Sequence, residues 1–131
     1  MDARFALALQ HFEQALATLQ EALALPEDPF IRDSVIMRFT YAFEAGWKAG
    51  YRWLSARGLD VDEGAFEVIP ELFKRRLITD AQAWGELRKM RNRTAHTYDE
   101  AVARLVAAFA RTQALPLLQA LRDELKARAD D

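Results

Sequence analysis

The chain contains no cysteine among its 131 residues, which excludes disulfides and thiolate metal sites. It has only two histidines, His11 and His96, far apart in sequence. A His-based metal centre is therefore not expected, and no residue pattern calls for a metal or another cofactor. Five glycines and four prolines leave few breaks for turns. No apolar run approaches the roughly 20 residues of a membrane span, and the N-terminus carries Asp2 and no signal-peptide pattern. A soluble, cytoplasmic protein with no membrane partner is the expectation. Net charge is only -2, so any affinity for nucleic acid has to come from a local patch.

What is present points to helices. Hydrophobic residues make up 51% of the chain, and alanine, leucine, arginine and glutamate dominate. This length suits one domain over residues 1–131 with one core. The expected fold is all-α: an antiparallel up-and-down four-helix bundle with an additional short helix. Phe5, Leu9, Phe12, Leu16, Leu19 and Leu23 form a heptad seam along a first helix from about Asp2 to Leu25. His11 lies off that seam and is expected on the surface. Pro26 stops this helix. Asp28 and Pro29 start a second, which Gly58 closes.

The second helix carries Ile36, Phe39, Phe43, Trp47, Gly50 and Leu54 on one stripe and further aromatics elsewhere, so one of its sides is expected to meet a second subunit. Glu44 has two readings: a surface ion pair with Lys48 at i+4, or a partner orienting a cation from elsewhere.

A short helix from Ala65 to Arg76 is expected to turn Phe66, Ile69 and Phe73 inward and to be interrupted at Pro70. Thr79 with Gln82 fits a capping box for a helix to about Arg93. On it Trp84, Leu87 and Arg91 share a face, so Arg91 continues an apolar stripe. A guanidinium there is costly unless it is paired or faces a cleft. The last helix is expected to start near Tyr98 and bury Val102, Leu105, Phe109, Leu117, Leu121 and Leu125, with a kink at Pro116 and a frayed, charged end from Arg122 to Asp131.

One stretch, Arg88 to Glu100, crowds together cations, a histidine, a tyrosine and two acids. On one unbroken helix Arg91 and His96 would sit ~140° apart. Thr97 and Glu100 fit a second capping box and Asp99 is an alternative N-cap, so the helix should break between Arg91 and Tyr98. From Lys74 to Arg93 there are seven cations against two acids, Asp80 and Glu86. This asymmetry suits a phosphate-bearing partner, with Arg88, Lys89 and Arg93 as candidate contacts. It equally suits a solvated surface balanced by acids on neighbouring helices.

An imidazole near neutral pKa can move a ribose or leaving-group proton, and a guanidinium can hold the phosphate, so His96 and Arg91 are the residue types a metal-independent ribonuclease needs. Asn92 can add an amide hydrogen bond. The residues alone leave open that Arg91 and His96 merely cap helices and bond acidic partners.

The pattern Arg91-x4-His96-x-Tyr98, with Asn92 after the arginine, resembles the signature of the HEPN superfamily, and in particular its nucleotidyltransferase substrate-binding branch, related to HepT-type toxins. The segment Phe43-Glu44-Ala45-Gly46-Trp47-Lys48 resembles that family's Phe-Glu-x-x-Trp-Lys helix, and the likeness runs from about Arg38 to Ala101. Pro70 departs from the pattern, which usually has a polar residue there.

The resemblance implies a HEPN-like bundle and a homodimer whose interface builds an RNA-cleaving cleft from Arg91 and His96, supported by Asn92 and Glu44. It also implies a separate small nucleotidyltransferase partner in a toxin–antitoxin-like pair, able to transfer AMP to Tyr98. The alternative is a non-catalytic subunit that presents a basic cleft to RNA or to the nucleotidyltransferase's nucleotide substrate. A purely structural helical dimer is a third.

Overall fold

The computed structural model describes residues 1–130, and among them there are helices and turns but no strand. In order, α1 spans Ala3–Leu23, α2 Pro29–Ala56, α3 Ala65–Lys74 and α4 Ala81–Arg93. A 3-10 turn over Thr94–His96 follows, then α5 at Glu100–Phe109, a π-helical turn at Ala110–Ala114, and α6 at Leu115–Ala127.

The caps explain where the helices begin. Asp2 accepts from the Phe5 amide, and Asp28 accepts from the Ile31 amide with Pro29 in the first turn. Asp80 accepts from the Ala83 amide at 2.9 Å, so α4 is capped by Asp80 rather than by Thr79. Asp99 accepts from Ala101 and Val102, so it, not Thr97, caps α5. A carboxylate outcompetes the neighbouring hydroxyl at both places because it is the stronger acceptor next to a helix N-terminus.

The bundle is organised on α2, which packs against α1, α3, α4, α5 and α6. The α1 seam is buried as expected from Phe5 to Leu19, with Ala22 taking the final seat and Leu23 only partly covered. On α2 the expected stripe is buried throughout, joined by Val35, Ala42, Ala49 and Trp53.

Three expectations are corrected. Helix α3 buries Val68 and Leu72; of the residues expected inward Ile69 is partly covered, while Phe66 and Phe73 are 65% and 43% exposed. The helix also runs through Pro70 without a restart. In the last rod Phe109, Leu121 and Leu125 are buried as expected and Val102 and Leu117 are partly covered, but Leu105 stands 42% exposed, and Ala103, Val106, Ala107, Ala110, Ala114 and Leu118 complete the buried face. The alanines give α5 its close approach to the core.

The distortion expected at Pro116 is a widened turn just upstream of it. Proline has no amide to offer the Thr112 carbonyl, and the Leu115 amide bonds the Ala110 carbonyl five residues back.

The Glu100–Ala127 rod is, by length and composition, apolar enough to cross a membrane, the one such helix among the described residues. The same test is met by helices that bury one face in a core, as this one does.

The C-terminal end is tied down up to Arg128, again unlike the expectation; Asp131 lies outside the described residues. The Arg128 guanidinium donates to the Arg75 and Arg76 carbonyls at 2.7 and 3.1 Å. Its own carbonyl accepts from Trp53 Nε1 and Arg57 Nη2. These bonds clamp α6 and α2 to the link between α3 and α4, where Arg76 takes a positive φ of 62°. We expect Arg128→Ala to lose about 1–2 kcal/mol of stability, measured by urea denaturation.

Candidate functional site

The C-terminal end of α4, the 3-10 turn and the entrance of α5 meet the middle of α2. The break in the helix arises because α4 tightens into the 3-10 turn and Asp99 then restarts the chain. Thr97 donates to the Thr94 carbonyl and helps close that turn.

Arg91 is half-buried, and two neighbours fix its guanidinium. Its Nε donates to Glu44 Oε1 at 2.8 Å, and its Nη1 donates to Thr94 Oγ1 at 3.3 Å. Thr94 in turn donates to the Arg91 carbonyl at 2.6 Å. The other oxygen of Glu44 accepts from Trp47 Nε1 at 2.8 Å. Glu44 therefore orients Arg91 across 47 positions of sequence. Lys48 is not its ion-pair partner; the Lys48 ammonium lies 5.8 Å from the Trp47 ring centroid.

This chain of bonds holds the arginine in one rotamer. It makes its remaining N–H groups a preorganised anion donor at low entropic cost. Removing the carboxylate with Glu44→Ala strands both Trp47 Nε1 and Arg91 Nε. We expect it to cost on the order of 1–3 kcal/mol in urea denaturation.

An open groove of about 540 Å³ lies over this arginine. Arg91, Thr94, Ala95, Thr97 and Tyr98 line one side, and Asp33, Ile36, Met37, Thr40 and Tyr41 of α2 line the other, so one carboxylate shares the groove with the guanidinium. Tyr98 is 86% exposed. Its hydroxyl lies 3.4 Å from His96 Nδ1, and the two rings meet edge-on with centroids 6.0 Å apart. His96 is exposed and does not itself line the groove; it reaches the site through Tyr98, and no hydrogen bond joins it to Arg91 among the described residues. The contact with the phenol is made by Nδ1, not Nε2.

The other sequence candidates are distributed differently. Arg88 sits over the Phe66 ring at 4.7 Å and lines the separate apolar groove between α3 and α4. Lys89 pairs with Glu86 at 3.6 Å. Asn92 and Arg93 are exposed beside Arg91 but do not line the groove. Of the seven cations from Lys74 to Arg93, four have a carboxylate within 4 Å: Lys74, Arg75, Lys89 and Arg91. Glu100, in the first turn of α5, is held below the ordinary carboxylate range by the hydrogen bond and charge of Arg104, 2.6 Å away. Among the described residues no three His, Asp or Glu side chains gather as a metal site would require.

Sequence reasoning does not single out Thr94 or Tyr41, and it meets Trp47 in the core stripe and in the Phe-Glu-x-x-Trp-Lys segment without a role at the site. For Thr94 the one signal is its i+3 spacing from Arg91 at a helix end. Spacing marks Trp47 only as core and Tyr41 only as aromatic bulk.

Comparison with known proteins bears on what this arrangement is. A family model described as nucleotidyltransferase substrate binding protein like matches residues 7–127. The chain is 34% identical over 77 residues to a Haemophilus influenzae protein described as probable ribonuclease HepT. That match takes in 56% of this chain and 53% of the relative, so it spans about half the length of that curated protein. A crystal structure of a protein from Thermus thermophilus superposes with a TM-score of 0.72 at 35% identity, covering 92% of this chain and 99% of that one.

Proposed function

The chain belongs to the family of nucleotidyltransferase substrate-binding-like proteins, a HepT-like branch of the HEPN superfamily, and from that premise we propose that it is the RNA-cleaving partner of a separate small nucleotidyltransferase. The observation that carries the reading is the groove itself: a fixed guanidinium and an exposed phenol line it, and the phenol contacts the His96 imidazole.

In the proposed reaction the ribose 2′ oxygen bonds to the adjacent phosphorus while the bond from phosphorus to the 5′ oxygen breaks. The His96 imidazole accepts the 2′ proton, and an imidazolium returns one to the departing 5′ oxygen, so the proton count balances. Arg91 holds the non-bridging phosphate oxygens and offsets the charge that develops on them. The products are a 2′,3′-cyclic phosphate and a 5′ hydroxyl, and no step calls on a metal.

A homodimer would bring two copies of this site together and supply the second imidazole. Phe30 and Met37 are 83% and 49% exposed, and they fall within ~20° on one face of α2. With Tyr98 they flank the groove with uncovered apolar surface, which supports a second copy seating there. Light scattering should give twice the 15.0 kDa chain mass.

The exposure of Tyr98 supports control by the partner. Its phenolic oxygen can attack the α-phosphorus of ATP, displacing pyrophosphate and leaving AMP over the anion site. A second reading, a binding subunit without catalysis, draws support from Arg91 being already committed to Glu44. Incubating the purified protein with labelled single-stranded RNA separates the two. Fragments ending in cyclic phosphate support cleavage, whereas binding without fragments supports the second reading.

A further inference from the structure

Beyond the Arg91 groove, α1 and α2 enclose a second groove of about 480 Å³. Arg4 and His11 reach it from α1, and Lys48 and Arg52 from α2. It is not an isolated dimple. Tyr41 lines both grooves, and Glu44, which lines the second, is bonded to the arginine that lines the first.

The lining of this groove carries more cations than acids. Most of the chain's cations have a carboxylate within 4 Å, but among the described residues none is found for Arg4, Lys48 or Arg52. Arg52 instead lies over the Tyr51 ring at 5.2 Å and Lys48 over Trp47, contacts that orient the side chains without neutralising them. Two acids line the groove. Both oxygens of Glu44 are engaged, by Arg91 and Trp47. Among the described residues that leaves Glu63 as the one uncommitted carboxylate in the lining against three cations.

In a chain of net charge -2, a lining of three cations against one uncommitted carboxylate beside a half-exposed aromatic suits a strand-tracking groove. We infer that this groove is a phosphodiester subsite, which holds the backbone of single-stranded RNA on one side of the phosphate at Arg91, with Tyr41 as the base-stacking ridge between the two. The inference rests on the RNA reading above and extends it: the substrate is a strand several nucleotides long, and a mononucleotide would leave this groove empty.

The test uses fluorescence anisotropy of a labelled single-stranded RNA 12-mer, titrated with full-length protein over a series of salt concentrations. His96→Ala serves as the background in every sample, so that the RNA stays intact. Arg4→Gln/Arg52→Gln is compared with Arg122→Gln/Lys126→Gln, which removes the same net charge outside both grooves. Losing two phosphate contacts should flatten the log–log salt slope by about 1.4. Affinity at low salt should fall about tenfold, against little change for the control pair. Equal losses in the two pairs, or no loss in either, would overturn the subsite. If the background protein binds RNA and only Arg91→Ala weakens it, the RNA reading stands and this inference fails. If the background protein binds no RNA, both fail.

Discussion

Replacing His96 by alanine should slow RNA cleavage by about 10²–10⁴-fold, the range lost when a positioned acid or base is removed, and should leave RNA affinity nearly unchanged. The side chain is exposed, and among the described residues its hydrogen-bonding and ring contact is with Tyr98, so the fold has little to lose. His11→Ala is the matched control. It removes the chain's other imidazole, which lies on α1 in the second groove and away from Arg91. Cleavage should persist in that variant. If His11→Ala abolished cleavage and His96→Ala did not, the reacting phosphate would have to be placed in the other groove.

The second large effect concerns Tyr98. Co-expression with the partner nucleotidyltransferase should raise the intact mass of this chain by one or more AMP units, and Tyr98→Phe should remove the increment altogether. Phenylalanine keeps the ring and its edge-on contact with His96 but has no oxygen to attack the α-phosphorus. In the same variant the nucleotidyltransferase should no longer silence cleavage by modification. An undiminished mass increment in Tyr98→Phe would move the acceptor elsewhere, with Tyr41, 55% exposed on the opposite wall, the next phenol to examine.

Much of the fold could be read from residue order, and the misses have a common physical cause. The α1 seam was legible because its large apolar residues follow one strict period, and burial agrees from Phe5 to Leu19. Helix α3 was not, because it carries two apolar stripes. Phe66, Ile69 and Phe73 are the bulkier set, yet α2 receives Val68 and Leu72, and the side a ten-residue helix turns inward is decided by tertiary packing. The last rod misled for a related reason. Its inner seam on α5 is mostly alanine and valine, which a search for large side chains passes over in favour of Leu105. The π-helical turn before Pro116 then resets the phase.

At the site, an arginine continuing an apolar stripe announced that Arg91 needed a partner, and Glu44 is that partner. Nothing in the spacing could say that Trp47 and Thr94 would lock the pair, since those bonds depend on how α2 and α4 cross. Arg88 and Lys89 look equivalent to Arg91 as charges. Lys89 is turned ~160° away from Arg91 on α4, whereas Arg88 is a near neighbour by spacing and is drawn instead over the Phe66 ring, so the groove takes only one of the three.

In the proposed mechanism Arg91 and His96 act together on one phosphate. That is measured most directly by the RNA cleavage rates of Arg91→Ala, His96→Ala and the double variant. Groups that work as a unit are non-additive, so the double variant should be hardly slower than either single one. Losses that multiply would mean that the two residues act independently, and unimpaired cleavage in either single variant would remove that residue from the reaction.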